Sequence, residues 1–288
     1  MKHDQAAHLR ERLAVTNHPH QAKTIAVISG KGGVGKSNVA LNFSITLLQN
    51  QKKVLLIDLD VGMGNIDILL GQQTNRSLVD MLAEQRTIHE VIQSGPNGLH
   101  YIAAGSGLTE LFIMDEAKMN YFLHQYHELV LLYDYIIFDM GAGATSESLA
   151  FVLAADECMV VTTPEPTAIT DAYGMIKHVL NKQQKMPIYV VMNRSLTNKQ
   201  GAKALARFQC VVFQFLRVTI SPMGVLPDDK AVQTAVIRQI PYVLLNDKAP
   251  ITTAMKRLTA TYLANDEQWQ QTASLSFVQK IKRFIMKR

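Results

Sequence analysis

A doubly wound, mostly parallel α/β sheet with helices on both faces is the fold class that the sequence predicts. Three observations point to it. From Thr24 onward, apolar runs of strand length alternate with longer stretches of helical period. Several of those runs are apolar at almost every position, as parallel strands covered on both faces should be. A glycine-rich turn joins the first run to the first helical stretch.

The elements follow in order. Residues 24–29 (TIAVIS) and 54–59 (VLLIDL) are near-continuous apolar strands, separated by a helical stretch at 38–49. Residues 99–103 (LHYIA) give a further strand, and 117–132 carries Met and aromatic residues at helical spacing, most simply as core. Residues 135–140 (YIIFDM), 157–162 (ECMVVT), 188–192 (IYVVM) and about 223–226 (MGVL) complete the predicted strands, with helical period at 170–182 and 199–215 between them. No internal repeat or low-complexity segment interrupts the pattern.

Composition limits the class of protein. With 48% hydrophobic and 18% charged residues, 288 residues can bury a sizeable core, which excludes a disordered chain. Two cysteines, Cys158 and Cys210, give no disulfide framework and no CxxC pair, so a reducing cytosol is expected. The polar, mixed-charge residues 1–11 are not expected to be a secretory signal, and charges or turns break every long apolar stretch. The net charge of +5 is concentrated: residues 273–288 hold five basic and no acidic residues. The other 272 residues balance 24 Lys and Arg against 24 Asp and Glu. A neutral body argues against non-specific DNA binding, and no specific nucleic-acid partner is expected.

The chemistry is concentrated at residues 30–37. Gly30-Lys31-Gly32-Gly33-Val34-Gly35-Lys36-Ser37 satisfies GxxxxGK[ST] between a strand and a helix, the context that this motif requires. Glycines let backbone N–H groups cradle phosphate oxygens at a helix N-terminus. Lys36 is expected to reach the β- and γ-phosphates of a nucleotide and the Ser37 hydroxyl to ligate Mg²⁺. Asp58 and Asp60 end the next strand, where ligands bind in open α/β sheets, and share one side if the chain stays extended. Asp139 ends another apolar strand before Gly141 and Gly143, a Walker B aspartate leading into a mobile switch II loop.

The second lysine, Lys31, makes the loop resemble the deviant Walker A motif of the SIMIBI ATPases related to MinD and ParA. That resemblance implies an ATP-dependent homodimer using ATP/ADP and Mg²⁺, with Lys31 reaching the partner's nucleotide. It places Asp58 in the magnesium sphere and Asp139 in its second shell. Asp60 in switch I orients the attacking water, with Lys31 and Lys36 also in the catalytic set. The strand end Asn193-Arg194 resembles the family's adenine reader, and Pro227-Asp228 its loop over the base. Glu165 and Asp171 match the interface segment whose acidic residue meets the signature lysine across the dimer, Asp171 being the favoured contact. Gly141 stands where MinD-type proteins commonly carry proline, a departure from the pattern.

Both ends extend the resemblance. At 100° per residue, Phe277, Val278, Ile281, Phe284 and Ile285 form one apolar arc, with Lys280, Lys282, Arg283 and Lys287 around it. Such a basic amphipathic helix is expected to bind an anionic membrane rather than dock on its own domain. Asp4-Gln5-Ala6-Ala7-His8-Leu9-Arg10 resembles the DQAxxLR leader of the FlhG family (YlxH or FleN). That family governs flagellar number and placement, its leader stimulates the GTPase FlhF, and it is associated with flagellar C-ring components. Asp4, Gln5, Ala6, Leu9 and Arg10 are then the activating residues. The expected organisation is a leader at 1–20, a MinD-like ATPase domain at 21–272 and the basic helix at 273–288. The location implied is cytoplasmic, and peripheral on the inner face of the membrane for the ATP-bound dimer. A MinD-type division-site regulator and a ParA-type DNA-partitioning ATPase are the alternatives.

Overall fold

The computed structural model describes residues 21–61, 64–74, 76–105, 115–141, 143, 146–266, 277, 278, 280 and 281. The leader motif at 4–10 and Phe284, Ile285, Lys282, Arg283 and Lys287 lie outside them.

The chain runs β1 (Lys23–Ile28), α1 (Lys36–Gln49), β2 (Val54–Leu59), then three short helices, α2 (Ile66–Leu70), α3 (Leu78–Glu84) and α4 (Ile88–Val91). Next come β3 (Gln93–Ser94), β4 (His100–Ile102), α5 (Glu116–Leu129), β5 (Tyr135–Met140), α6 (Ser146–Ala154) and β6 (Glu157–Thr162). The remainder is α7 (Pro166–Lys182), β7 (Ile188–Ser195), α8 (Asn198–Leu216), β8 (Ser221–Pro227), α9 (Lys230–Arg238), α10 (Tyr242–Leu245) and α11 (Pro250–Asp266).

The strands form one sheet in the order β3-β4-β2-β5-β1-β6-β7-β8, parallel except for β3. Side chains alternate across it. Ala26, Ile28, Ile136, Phe138, Cys158 and Val160 face one core with α3 to α8. Ile25, Val27, Tyr135, Ile137, Met159 and Val161 face a second core with α1, α2, α10 and α11. Two dry faces explain why the central strands are apolar at nearly every position.

All seven predicted strands are present. The eighth, β3, has two residues, too few to leave a period in the sequence. Its antiparallel pairing to β4 is the exception in an otherwise parallel sheet.

Four residues of the C-terminal segment are described, and they meet the domain. Phe277 and Ile281 are buried, at 4% and 0% exposure, in the core formed with α5 and α6. The Phe277 ring centroid lies 4.5 Å from that of Tyr126 and 5.3 Å from that of Phe138. Val278 is partly buried against the same core. Lys280 Nζ donates to the Ala155 carbonyl at 3.2 Å and to Asp156 Oδ1 at 2.8 Å. This part of the apolar arc therefore rests on the domain. The reason is physical: an amphipathic helix satisfies a core groove by the same period that suits a bilayer surface.

Candidate functional site

The P-loop sits at the carboxyl edge of β1, and its backbone is dictated by what surrounds it. Gly33 and Gly35 have φ of 80° and 89°, a region costly for any residue with a Cβ. A Cβ on Gly35 would also lie 2.5 Å from Asn193 Nδ2. On Gly30 a Cβ would lie 2.2 Å from the Asp171 carbonyl carbon, so the loop begins in backbone contact with α7. Helix α1 starts at Lys36 with no side-chain cap and no acidic residue in its first turn. Its first N–H groups and dipole end therefore suit a phosphate.

Lys36 is buried and forms an ion pair with Asp139 Oδ1. Its Nζ also lies 3.4 Å from Ser37 Oγ. Asp139 Oδ2 is buried without a hydrogen-bond partner. Strand pairing sets Asp58 directly opposite Asp139 in register, so two buried carboxylates end adjacent strands. Burial first, then the negative charge of Asp139, pushes the Asp58 carboxyl up to about 7, against backbone N–H donors that pull it down. The Asp60 carboxyl is raised by burial and by Asp139, with Lys36 opposing.

This donor set fits a hard divalent cation. It combines the Ser37 hydroxyl with the carboxylates of Asp58 and Asp139, one oxygen of the latter lacking a hydrogen-bond partner, the oxygen chemistry that Mg²⁺ prefers. Two buried acids with one lysine also leave negative charge that a cation would offset.

Asp60 does not continue the strand. β2 ends at Leu59, and the Asp60 N–H turns back to donate to Asp58 Oδ1 at 2.9 Å. Asn65 and Ile66 donate their N–H groups to Asp58 Oδ2, at 2.9 Å and 3.3 Å. Asp58 thus gathers both ends of the switch I loop on one carboxylate. Extended geometry thus stops at Leu59, because this local capture competes with continued strand.

The side predicted to read the base is equally specific. Asn193 Nδ2 donates to the Val34 carbonyl at 2.8 Å, and Arg194 Nη1 to the Gly33 carbonyl at 3.3 Å. A register shift between Met192 and Ser195, with Arg194 at φ 54°, turns both side chains onto the P-loop. Because the donor of Asn193 is engaged by a carbonyl, its oxygen is left as an acceptor, suited to the amino group of adenine. Asp228 is exposed and its N–H donates to the Ser195 carbonyl at 3.0 Å. Pro227 pairs with Ser195. Neighbouring Asp229 is structural instead, capping α9 through the Ala231 N–H and accepting from the Ile251 N–H.

Lys31 is exposed, 3.1 Å from Thr167 Oγ1 and 3.8 Å from Glu165 Oε2 of its own chain. Asp171 meets the P-loop through its backbone instead. Thr167 was not anticipated; a threonine in the first turn of a helix carries no sequence signal for such a role.

A family model described as "ParA: NUBPL iron-transfer P-loop NTPase" matches residues 20–262. FleN of Pseudomonas aeruginosa, an antiactivator, is 34% identical over 221 residues, 76% of this chain and 79% of FleN. The chain belongs to the ParA family of P-loop NTPases, in its FlhG (YlxH/FleN) branch. The flagellum site-determining protein YlxH of Helicobacter pylori is 33% identical over 71% of this chain and 69% of its own length. Among solved structures, the septum site-determining protein MinD of Pyrococcus horikoshii, complexed with Mg-ADP, superposes with a TM-score of 0.68. At 23% identity, covering 85% of this chain and 98% of that one, it shows the fold. The family is one of P-loop ATPases, which agrees with the doubly wound sheet and the phosphate cradle. The iron transfer in the family description is not matched by paired thiols here. Cys158 is buried in β6, where desolvation pushes its thiol up, and Cys210 is exposed on α8.

Proposed function

We propose that this protein is an ATP-hydrolysing, nucleotide-dependent switch that regulates flagellar number and placement. The observation carrying the reading is the likeness to FleN and YlxH over more than two thirds of each chain, joined to an intact P-loop. ATP brings two copies face to face, Lys31 leaves its own Glu165 and Thr167 for the partner's phosphates, and hydrolysis resets the pair. Ser37 and Asp58 would hold Mg²⁺ with Asp139 in its second shell, and the cation would offset the negative charge of the phosphates and carboxylates. Lys36 exchanges Asp139 for the β- and γ-phosphates, Asn193 and Arg194 with Pro227 and Asp228 hold the base, and Asp60 orients water. Glu165 and Asp171 belong to the dimer face, and Gly141 and Gly143 to switch II.

The output surfaces are the two ends. Residues 4–10 stimulate the GTPase FlhF, and C-ring components are further partners. This is tested by FlhF turnover with and without a peptide of residues 1–20. Stimulation is expected, while no stimulation by either the peptide or the full-length chain contradicts the assignment.

The basic helix is a conditional membrane anchor. Burying Phe277 and Ile281 contributes about 1.5–3 kcal/mol each, against about 1–2 kcal/mol per residue of backbone ordering. Neither quantity alone decides the docked state, and the Lys280–Asp156 pair is part of what holds it. Asp156→Asn weakens the latch without altering the tail. It is expected to raise the nucleotide-free fraction pelleting with phosphatidylglycerol vesicles several-fold, with unchanged binding to neutral vesicles. Equal pelleting of variant and wild type contradicts the latch.

A further inference from the structure

Helix α8 meets the sheet through a residue with no side chain. Gly201 lies buried in the first turn of that helix. A Cβ built there would lie 2.3 Å from Val225 Cγ1, 2.5 Å from Ser195 Oγ and 2.9 Å from Ser195 Cβ. Atoms that are not bonded do not pack so closely. The overlap with Ser195 Cβ cannot be relieved by turning a side chain, because the backbone places that atom, and Ser195 is fully buried. Nor can the helix step back. Only Leu196 separates Ser195 from Thr197, which caps α8 by accepting from the Gln200 N–H at 3.1 Å.

Both residues that crowd Gly201 belong to the segments proposed to hold the base. Ser195 ends the irregular stretch of β7, where the register shifts after Met192 and Arg194 takes φ 54°. From that turn Asn193 and Arg194 reach the P-loop. The Ser195 carbonyl accepts the Asp228 N–H at 3.0 Å, and Ser195 pairs with Pro227. Val225 pairs with Met192 and runs directly into Leu226 and Pro227. The bare face of α8 is thus packed against the turn at 193–195 and the strand end at 225–227 together. Glycine weakens a helix relative to alanine; here it permits the close approach that seats both segments.

We infer that Gly201 is a positioning residue for base recognition: its missing side chain lets α8 seat the Ser195 turn so that Asn193 and Arg194 meet the P-loop. The inference rests on the adenine reading proposed above. Helix packing alone would account for stability and nothing more. A displaced Ser195, by contrast, carries Asn193, Arg194 and Asp228 with it, so discrimination between purines moves as well. The phosphate end stays in place, because Gly30 abuts α7 and Lys36 is paired with Asp139.

The test compares the full chain carrying Val225→Ala with the same chain carrying Gly201→Ala as well. Val225→Ala removes the nearest overlap, so that Ser195 is the group still pushed. ADP and inosine diphosphate, which has an oxo group in place of the 6-amino group, are titrated into each with Mg²⁺, beside phosphate release from ATP. Adding Gly201→Ala is expected to lower the ratio of ADP to inosine diphosphate affinity about three- to tenfold, the size of one net hydrogen bond. KM for ATP is expected to rise with it, while kcat stays within about twofold. Ser195→Thr crowds the same contact from the side of the turn and is expected to shift the ratio in the same direction. Three results overturn the inference: an unchanged ratio in both variants, an equal loss for the two nucleotides, or a loss residing in kcat. A wild-type chain that binds ADP and inosine diphosphate equally overturns the adenine reading and this inference with it. A wild-type chain that prefers ADP beside unaffected variants overturns the role of Gly201 alone.

Discussion

Lys36→Met is expected to lose ATP affinity by about two to three orders of magnitude and, separately, to melt roughly 10 °C below wild type. The two losses have different origins. Affinity falls because a buried, charge-assisted contact to the phosphates disappears. Stability falls because Lys36 is the cation paired with Asp139, itself opposite Asp58 in the register of β2 and β5. Removing one partner of a buried pair leaves its charge uncompensated, at a cost of about 3–5 kcal/mol. The nucleotide-free chain is therefore expected to depend on this lysine as well. Differential scanning calorimetry without nucleotide isolates the second effect. A variant that melts with wild type while failing to bind ATP contradicts the structural role of the pair.

Asp60→Ala is expected to reduce ATP turnover about 10²- to 10⁴-fold, the range for losing a group that handles the attacking water. Nucleotide affinity is expected to stay within about threefold of wild type, because the cradle is built by Gly30 to Ser37 with Asn193 and Arg194. Asp60 itself contributes its backbone N–H to Asp58, and alanine preserves that bond. Chemistry and binding should therefore separate cleanly in this variant. Isothermal titration with ATP, beside phosphate release, reads both quantities.

What the sequence conveyed depended on how local the cause was. The phosphate cradle was legible because eight adjacent residues between a strand and a helix carry it, and the strand-end aspartates because an apolar run stops at each. The pairing of Asp58 with Asp139 was not, since it depends on which strands become neighbours and in what register. Nor was the turn at Asp60, where a backbone N–H prefers a buried carboxylate to continued extension. Short helices such as Ile66–Leu70 and Ile88–Val91 are below the length at which a period can be read. The basic helix shows the deeper ambiguity. Phe277 and Ile281 have the spacing of a membrane face and are found in the core, because an apolar stripe specifies dryness without specifying which dry surface. Lys280 shares this double use, as a basic residue for an anionic surface and as the partner of Asp156.

ATP, and not ADP, is expected to pair two chains. Light scattering on the Asp60→Ala protein, where hydrolysis cannot erase the bound state, measures it directly. With Mg-ATP the expected mass is twice the 32.1 kDa of the chain, and with Mg-ADP or no nucleotide it is that of a single chain. Lys31→Ala in the same background is expected to return the ATP sample to a single chain while still binding nucleotide. A mass that is the same with ATP, with ADP and without nucleotide contradicts the account.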